Sequence, residues 1–405
     1  MKPNVLQLID SFHQGGTERQ AVQLARLLHE SGRYSVHVAC LNREGVLGAE
    51  VSRLGFGEIP EFPLTSFYDR NMAVQLSRLK RFLREREIDI LHTHDFYTNV
   101  FGMTGATLSR LPLVRIASRR ETGGMRSRAQ KFVQRRAFAR AHAVVANAGA
   151  VRRELIAEGV RADKIETIYN GLDLKRLKPP ENYVRDEMLA ELQLEASAGR
   201  RLVTIVANMR HPVKDQRTFL RAARRVKAEI NDAAFVLAGE GELEASLRDF
   251  AAELELERDA FFTGRCERVA LLLALSEVCV LSSTNEGFSN SILEYMAVAR
   301  PVVATDVGGA REAIIEGETG YVVAPGDDEG MAARIISLLR DGERAREMGR
   351  AGRRVVEEKF SCEAQLARTE KLYERLLEMK RAATRSSRRE EEAESRRRAT
   401  ASERL

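Results

Sequence analysis

The chain has 405 residues, is 44% hydrophobic and 31% charged, and carries a net charge of +6. This length fits two domains of typical size, each with its own core. The absence of tryptophan excludes a sugar site lined by indole rings, and the four scattered cysteines show no zinc-binding or disulfide-framework spacing. The N-terminal segment has no signal-peptide pattern, and no apolar run approaches the roughly 20 residues that span a bilayer. We therefore expect a cytoplasmic protein that at most lies peripherally on a membrane.

Short apolar runs alternate with amphipathic segments through the first half, which predicts parallel strands covered by helices. The helical segments include Glu18–His29 and Met72–Arg86. The predicted strands are Val5–Ile9, Ser35–Leu41, Asp89–His94, Leu113–Ser118, Ala143–Ala148 and Ile165–Tyr169.

A polar stretch from Leu174 to about Arg200, with Pro179-Pro180, predicts an interdomain linker that runs into a short helix. The strand pattern then restarts at Leu202–Ala207, Phe235–Ala238, Phe261–Thr263, Val278–Ser282, Pro301–Thr305 and Gly320–Val323. Two such series predict an α/β protein of two doubly wound, Rossmann-like domains that face each other across a cleft. In such sheets ligands bind beyond the carboxyl ends of the strands.

We place the first domain at residues 1–175 and the second at 176–361. The charged segment 381–405 has eight arginines, five glutamates and no aromatic residue, so it cannot bury enough apolar surface to fold alone. We expect this tail to be disordered or a frayed helix.

The strongest candidate site follows the strand at 278–282 and spans Glu286 to Glu294. Ser289 is a favourable N-cap for the helix after it, and a helix start suits a phosphate. The two carboxylates suit hydroxyl pairs of a ribose or hexose, because they accept hydrogen bonds and repel phosphate. The alternative is a turn residue and a helix-surface charge. The predicted donor contacts here are Glu286, Gly287, Phe288, Ser289, Asn290, Ser291 and Glu294.

Arg210 and Lys214 follow another strand of the same domain, at 202–207. A guanidinium and an ammonium suit a diphosphate whose negative charge grows as a glycosidic bond breaks. The alternative is a solvated loop with two ordinary cations.

Paired glycines, Gly15 and Gly16, lie between the first strand and the first helix in the segment that starts at Gln14. They permit close approach of the backbone to a ligand, or a tight turn. The G-x-G-x-x-G fingerprint is absent there and at Gly239-Glu-Gly241, so neither a nicotinamide nor a flavin cofactor is predicted.

Together these segments resemble the family-4 group of GT-B glycosyltransferases over nearly the whole ordered chain. Glu286 and Glu294 resemble the E-x7-E motif of that family, and Arg210 and Lys214 stand where it has its diphosphate-binding arginine and lysine. Further resembling segments are Gly15-Gly16, Ile168–Asp173, Pro301–Gly309 and Gly317–Gly326.

The resemblance implies that the C-terminal domain binds a nucleotide sugar and the N-terminal domain binds the acceptor. Glu294 would hold the ribose and Glu286 the sugar hydroxyls. The family is retaining and metal-independent, so no metal or cofactor is expected beyond the nucleotide sugar. The leaving phosphate would take the acceptor proton while Arg210 and Lys214 stabilise its charge. The resemblance also implies that a last helix over 362–380 packs back onto the first domain.

The chain departs from the family after its fourth strand, where many relatives carry a histidine that faces the transferred sugar. The stretch here ends in Ser118, Arg119 and Arg120 without a histidine. Either one of these residues takes that place, or His94 reaches the cleft from the neighbouring strand. His92 is expected to pack inside the strand.

Residues 110–140 hold ten Lys or Arg and one acid, and 125–140 predicts an amphipathic helix. In this family the region often meets a membrane-borne acceptor, and anionic headgroups attract such a helix. The alternative is an ordinary solvated helix face. Nucleic acid is a poorer explanation, because no aromatic platform lies among the arginines. The predicted acceptor or membrane surface is Arg119, Arg120, Arg126, Arg128, Lys131 and Arg135.

These patterns predict a retaining hexosyltransferase that uses a nucleotide sugar and an acceptor in polysaccharide, lipopolysaccharide or lipid-linked glycan assembly. The alternatives on the same architecture are a nucleotide-sugar 2-epimerase or a sugar-phosphate synthase, and a non-catalytic nucleotide-sugar-binding protein.

Overall fold

A computed structural model of the chain describes residues 2–13, 15–121, 126–178 and 184–402. They divide into two compact units. The first unit comprises Met1–Ala146, Leu155–Ile168 and Gln365–Leu405, and the second comprises Asn147–Glu154 and Tyr169–Ala364. The chain passes into the second unit at 168/169, a few residues before the predicted boundary at 175/176.

The first unit is built on a parallel six-stranded sheet with the strand order β2-β1-β3-β4-β5-β6. Its strands are β1 Asn4–Ile9, β2 Ser35–Cys40, β3 Ile90–Thr93, β4 Val114–Arg119, β5 Ala143–Ala146 and β6 Ile165–Thr167. Its helices are α1 Gly16–Glu30, α2 Gly48–Arg53, α3 Arg70–Glu85, α4 Phe96–Ser109 and α5 Arg128–Arg140. The order reverses direction between β1 and β3, and such a switch point is where ligands bind in open α/β sheets.

Local sequence explains where several of these helices begin. Asp95 starts α4 with a capping box, because its carboxylate accepts from the Thr98 N–H and the Thr98 hydroxyl lies within hydrogen-bond distance of the Asp95 N–H. Ser127 and Gln130 form the same arrangement at the start of α5. The strands β3 and β5 are buried along their whole length, as expected for a sheet with helices on both faces.

The second unit repeats the design with the strand order β12-β11-β10-β7-β8-β9. Its strands are β7 Arg201–Val206, β8 Ala233–Ala238, β9 Ala260–Gly264, β10 Ser276–Leu281, β11 Val302–Thr305 and β12 Gly320–Val323. Its helices are α7 Arg185–Glu191, α8 Gln216–Glu229, α9 Glu244–Glu253, α10 Val269–Leu275, α11 Asn290–Ala297, α12 Ala310–Ala313, α13 Asp328–Arg340 and α14 Gly342–Lys359. Here the switch point lies between β7 and β10. The predicted strands of both units are therefore confirmed, with ends that differ by one or two residues.

Two helices do not belong to one unit throughout. Helix α6, Gly149–Ala157, starts in the second unit and ends in the first. Helix α15, Cys362–Ser402, joins the first unit from Gln365 onward, and Leu372, Tyr373, Leu376 and Leu377 enter its core. The helix over 362–380 was predicted to pack onto the first domain, and its residues from Gln365 onward lie in the first unit.

The structure differs from the sequence analysis at the tail and the linker. The backbone is helical as far as Ser402, where we expected disorder or a frayed helix, because the tail continues α15 without a Gly or Pro to end it. The Pro179-Pro180 part of the predicted linker and residues 403–405 lie outside the described residues. All four cysteines are free, and Cys266 is half-buried whereas the other three are buried.

Candidate functional site

The loops after β7 and β10 lie side by side in the second unit because these two strands are neighbours in the sheet. The Ser282 hydroxyl donates to the Lys214 carbonyl at 2.9 Å, and the Thr284 N–H donates to the Val213 carbonyl at 2.8 Å. Both loops therefore form one continuous surface at the carboxyl edge of the sheet, where a ligand is expected.

Lys214 and Glu286, two of the predicted site residues, contact each other directly on this surface. The ammonium Nζ of Lys214 lies 2.6 Å from Oε1 of Glu286, and the Ser283 hydroxyl donates to the same oxygen at 2.8 Å. The two side chains are 22% and 14% exposed. The pair is largely desolvated, so each charge depends on the other or on a ligand that replaces it.

Arg210 follows the same strand as Lys214, but its guanidinium pairs with Glu240 at 3.1 Å and is 57% exposed. Glu240 belongs to the Gly239-Glu-Gly241 loop after β8, which the sequence analysis treated only as a glycine pair. Arg210 follows β7 as the sequence predicts, whereas its contact with Glu240 was not predicted.

Helix α11 begins at Asn290, as predicted, with Ser289 at the N-cap in an extended conformation. The Ser289 side chain makes no cap hydrogen bond, so the first N–H groups of this helix are not engaged by it. The Ser291 hydroxyl donates to the Val206 carbonyl at 3.0 Å, so it anchors the helix start to β7. Glu294 lies one turn further on and is half-buried.

Asn170, in the segment Ile168–Asp173, supports the start of α11. Its amide nitrogen Nδ2 donates to Oδ1 of Asn290 at 2.9 Å. The ring of Phe288 packs against Tyr169 and Phe360, each with a centroid distance of 5.3 Å. The sequence analysis noted Phe288 and Ile168–Asp173 separately, but not that they form one cluster.

The Gly308-Gly309 turn packs directly against the loop that carries Glu286. Gly308 has a φ of +54°, and a Cβ there would clash with the carbonyl oxygens of Glu286 and Gly287. The Gly309 N–H donates to the Gly287 carbonyl at 2.9 Å. Only glycine combines this backbone conformation with so close an approach.

Glu312, in α12, is a further feature that sequence reasoning missed. Its carboxylate oxygens accept from the backbone N–H groups of Gly149 and Ala150, at 2.6 and 2.8 Å. A carboxylate at a helix start is stabilising. No motif in the sequence signals this contact, because the two segments are 163 residues apart.

In the first unit, Gly15 is the N-cap of α1 and Gly16 is its first residue, while Gln14 lies outside the described residues. A Cβ on Gly15 would collide with the carboxylate of Glu18. The absence of a side chain at Gly15 thus allows the Glu18 carboxylate to lie against the backbone at the start of α1.

Three carboxyl groups gather near this helix start, and the sequence analysis singled out neither Asp10 nor Asp95. Burial, the nearby Asp10 carboxylate and then that of Glu18 raise the pKa of Asp95 to about 7. The pKa values of Asp10 and Glu18 are also raised, in both cases chiefly by burial, and His13 partly offsets this. This edge therefore disfavours added negative charge.

His92, within β3, and His94, directly after it, are both buried. His92 packs inside the strand, as predicted, with both ring nitrogens hydrogen-bonded. His94, one of the alternatives predicted to reach the sugar, is 1% exposed in this structure. Its Nε2 lies 2.7 Å from Oε1 of Gln7. Burial, and then the charge of Arg120, lowers the pKa of His92 to about 3, and burial lowers that of His94 well below the ordinary value.

Arg119 and Arg120 are not part of a membrane-facing surface, which corrects the prediction. Arg119 is 1% exposed and its guanidinium pairs with Glu158. Burial lowers the pKa of Arg120 to about 10. Arg126 stacks over the Phe96 ring at 4.7 Å and pairs with Glu121, so it too faces inward. Glu158, 39 residues away in sequence, pairs with Arg119 in the interior, and the Phe96 ring covers Arg126.

Helix α5 does present cations to solvent. Arg128 and Arg135 are exposed, and Lys131 lies 3.5 Å from Glu158. Phe132 is 54% exposed beside Arg136, while the opposite face buries Phe138. This face is the part of the predicted basic surface that remains. Within the described residues, no helix has the length and apolarity to cross a membrane, and no three His, Cys, Asp or Glu side chains group as a metal site.

Two family models match the chain. The model described as glycosyltransferase family 4 matches residues 14–176, and the model described as glycosyl transferases group 1 matches residues 200–341. The N-acetyl-alpha-D-glucosaminyl L-malate synthase of Bacillus anthracis is 32% identical over 209 residues, which cover 52% of this chain and 53% of that protein. The Bacillus subtilis protein EpsD, described as a glycosyltransferase, is 36% identical over 141 residues, which cover 35% of this chain and 37% of that protein. The chain thus matches about half, or less, of the length of these two relatives.

Solved structures resemble the whole described fold. The Anabaena protein HepE, crystallised with UDP, gives a TM-score of 0.80 at 20% identity and covers 92% of this chain and 99% of its own. The sucrose-phosphate synthase of Thermosynechococcus elongatus gives 0.74 at 22% identity and covers 93% and 100%. At this identity the likeness shows the shared fold. With both family models matched in order along it, the chain belongs to the family-4, group 1 glycosyltransferases of the GT-B fold.

Proposed function

We propose that this protein transfers a glycosyl group from a nucleotide sugar to a hydroxyl acceptor, with retention of anomeric configuration. The observation that carries the proposal is the desolvated Lys214–Glu286 pair beside the start of α11, where the Ser289 side chain makes no cap hydrogen bond, at the switch point of the second sheet. A cation, a carboxylate and the first N–H groups of a helix within one surface match the phosphate and hydroxyl groups of such a donor.

The residues of the second unit divide the donor between them. The N–H groups at Ser289, Asn290 and Ser291 face a phosphate, and Lys214 with Arg210 neutralises the charge that grows on the leaving diphosphate. Glu286, with Gly287 and Phe288 holding its loop, accepts from sugar hydroxyls. Glu294 accepts from the ribose hydroxyls.

In the retaining reaction the glycosidic bond to the diphosphate breaks and a new bond forms to the acceptor oxygen. The acceptor proton passes to a phosphate oxygen of the leaving group, so this chain need not supply a general base. We propose that no metal ion takes part, since Lys214 and Arg210 provide the cationic charge. Turnover that persists in EDTA supports this, and turnover that requires Mg²⁺ or Mn²⁺ would contradict it.

Uridine diphosphate is the first nucleotide to test, because HepE was crystallised with UDP and with UDP-glucose. The acceptor binds in the first unit. The B. anthracis relative is named for a product that contains L-malate, which is an anion. In this chain the carboxyl groups of Asp10, Glu18 and Asp95 disfavour an anionic acceptor. We therefore propose a neutral glycan acceptor in envelope polysaccharide assembly, presented at an anionic membrane that the exposed cations of α5 contact.

A thermal-shift screen of the full chain against UDP-, GDP-, ADP- and dTDP-sugars tests the donor assignment. A selective rise in Tm with one donor, followed by slow release of its sugar to water, is the expected result. No rise with any donor, in folded protein, would contradict it. Formation of a second nucleotide sugar would indicate the epimerase, and binding without hydrolysis or transfer would indicate a non-catalytic protein.

Vesicle co-sedimentation tests the membrane assignment. Binding to vesicles with phosphatidylglycerol, absent with phosphatidylcholine alone, is expected, and each exposed cation contributes about 1 kcal/mol. Arg128→Gln should weaken it about five-fold, whereas Arg224→Gln, an exposed arginine of the second unit, should leave it unchanged. Equal losses for both variants would contradict a role for α5.

A further inference from the structure

Five buried polar side chains form a continuous chain of hydrogen bonds through the interior of the first unit. They are Gln7 on β1, His92 and His94 at β3, Ser118 on β4 and Tyr373 on α15, and each is at most 1% exposed. Buried polar side chains are costly unless their partners are well placed, so such a chain needs a reason in packing or in function.

Four short contacts link these residues in a defined order. His94 Nε2 lies 2.7 Å from Gln7 Oε1, and Gln7 Nε2 donates to the Tyr373 hydroxyl oxygen at 2.9 Å. That hydroxyl lies 2.7 Å from His92 Nδ1, and His92 Nε2 lies 2.7 Å from Ser118 Oγ. The rings of His92 and His94 also stack, with centroids 4.6 Å apart.

The amide of Gln7 fixes the direction of every bond in this chain. Its nitrogen donates to Tyr373, so its oxygen must accept, and His94 Nε2 must therefore carry a proton. The buried Tyr373 hydroxyl also needs an acceptor for its own proton; Gln7 Nε2 only donates, so that proton points to His92 Nδ1. His92 then carries its proton on Nε2 and donates to Ser118.

Both imidazoles are neutral, so each carries a single proton. Burial and the neighbouring Arg120 guanidinium oppose a second one, and the pKa values of both rings are lowered accordingly. With its one proton on Nε2, His94 keeps an electron pair on Nδ1. No described group lies within hydrogen-bond distance of that nitrogen, although it is buried. An unpaired buried acceptor costs about 1–3 kcal/mol, so its retention indicates a donor that arrives with a ligand.

We propose that Gln7 and Tyr373 are positioning residues that hold His94 in the Nε2–H form, so that Nδ1 accepts a hydrogen bond from a sugar hydroxyl. His94 directly follows β3 at the switch point of the first sheet, the edge where ligands bind in this architecture. Because Nδ1 is covered, the hydroxyl reaches it when neighbouring side chains move. The ligand assignment rests on the proposed function, whereas the assignment of the proton rests on the contacts alone. The hydroxyl belongs either to the transferred sugar or to the acceptor glycan.

The last helix thereby has a role beyond packing. The Tyr373 ring fills the core and meets Tyr34 edge-on at a centroid distance of 5.7 Å. A phenylalanine would fill the same space, so the hydroxyl alone connects Gln7 to His92.

Nuclear magnetic resonance of the full chain, labelled with ¹⁵N in its seven histidines, tests the proton assignment. Two-bond ¹H–¹⁵N correlations distinguish the two neutral forms of each ring, and a His94→Gln variant assigns the signals. We expect His94 in a single Nε2–H form that Tyr373→Phe converts into a mixture. Tyr34→Phe, which removes a neighbouring hydroxyl outside the chain of hydrogen bonds, should leave His94 unchanged. A proton on Nδ1 of His94 in the wild type, which a reversed Gln7 amide would give, would overturn the proposal, as would an unchanged His94 in Tyr373→Phe.

Titration of the same sample with UDP, UDP-glucose and methyl α-D-glucopyranoside tests the hydroxyl. A shift of the His94 Nδ1 signal with UDP-glucose but not UDP indicates the transferred sugar, and a shift with the methyl glucoside indicates the acceptor side. No shift with any of the three would overturn the ligand assignment. Calorimetry of UDP on the same protein reports on the proposed function separately, so failure of one is distinguishable from failure of the other.

Discussion

In the first unit, burial favours the uncharged forms of the polar groups that follow β3. It raises the pKa of the Asp95 carboxyl and lowers the pKa of the His94 imidazole. In the second unit, the groups that follow β7 and β10 keep opposite charges in contact, as Lys214 and Glu286 show. The two sheets have the same switch-point topology, so the fold does not cause this difference. The side chains do, and they suit one edge to neutral hydroxyls and the other to a charged diphosphate.

The largest expected effect comes from removing the cation of the second unit. Lys214→Met should lower kcat by about 10²–10³, because the growing charge on the diphosphate loses its closest cation and Glu286 loses its cationic partner. Turnover with the donor from the thermal-shift screen measures this. The matched control is Lys227→Met, since Lys227 pairs with Asp259 at 2.9 Å with similar exposure, 23% and 15%. Equal losses in both variants would show that Lys214 acts through stability alone.

The second-largest effect should come from changing Gly308, whose backbone packs against the loop that carries Glu286. Gly308→Ala combines left-handed strain, about 1–2 kcal/mol, with overpacking of about 1–3 kcal/mol against the carbonyls of Glu286 and Gly287. We expect a corresponding loss of unfolding free energy and weaker UDP binding. Gly326→Ala isolates the strain, because Gly326 has a φ of +78° and open space around it. If both variants bound UDP like the wild type, the turn would not support the donor loop.

Arg210 should have a smaller effect, because its guanidinium is exposed and already paired with Glu240. Arg210→Ala should lower kcat about ten-fold with little change in KM, since the interaction strengthens only as the diphosphate leaves. Arg340→Ala is the control, with its partner Glu229 at 2.7 Å and 60% exposure. A higher KM with unchanged kcat would assign Arg210 to ground-state binding instead.

The smallest effect tests the uncharged character of the first unit. The pKa of Asp95, about 7, exceeds that of an unfolded chain, so the stability it contributes is complete below about pH 4 and is lost as the pH rises toward 7. Asp95→Asn should flatten this fall and raise the unfolding free energy at pH 8 by about 1–3 kcal/mol. Urea denaturation between pH 4 and 8 measures it.

Asp69→Asn is the matched control, because Asp69 caps α3 at an exposed position and the Thr65 hydroxyl lowers its pKa. It should not gain stability at pH 8. A loss of stability in both variants at pH 8 would show that the folded protein does not disfavour the charged form of Asp95, which contradicts the raised pKa.

The sequence predicted the alternation of strands and helices because apolar, β-branched runs are local signals. It also placed Lys214 and Glu286 at strand ends, but not in contact. That contact depends on β7 and β10 being neighbours, which the order of strands along the chain does not reveal. Arg119 shows the same limit. The run of basic residues predicted an exposed basic surface, but the Arg119 guanidinium is buried because it pairs with Glu158, 39 residues away in sequence.

The buried chain of hydrogen bonds escaped sequence reasoning for a related reason. Gln7 and Tyr373 are 366 residues apart, and each looks like an ordinary core residue of its own element. They come within hydrogen-bond distance only because α15 packs on the first sheet. His92 was predictable as a core residue, because it lies inside a strand that is apolar apart from itself and Thr93.

Calorimetric titration with UDP and UMP tests most directly whether the charges of the second unit recognise a diphosphate. The account predicts that wild-type protein binds UDP at least about ten-fold more tightly than UMP, since a charge-assisted contact to the second phosphate contributes about 1.5–3 kcal/mol. It also predicts that this preference vanishes in Lys214→Met and persists in Lys227→Met. Equal affinity for the two nucleotides in the wild type, or a preference that survives in Lys214→Met, would contradict it.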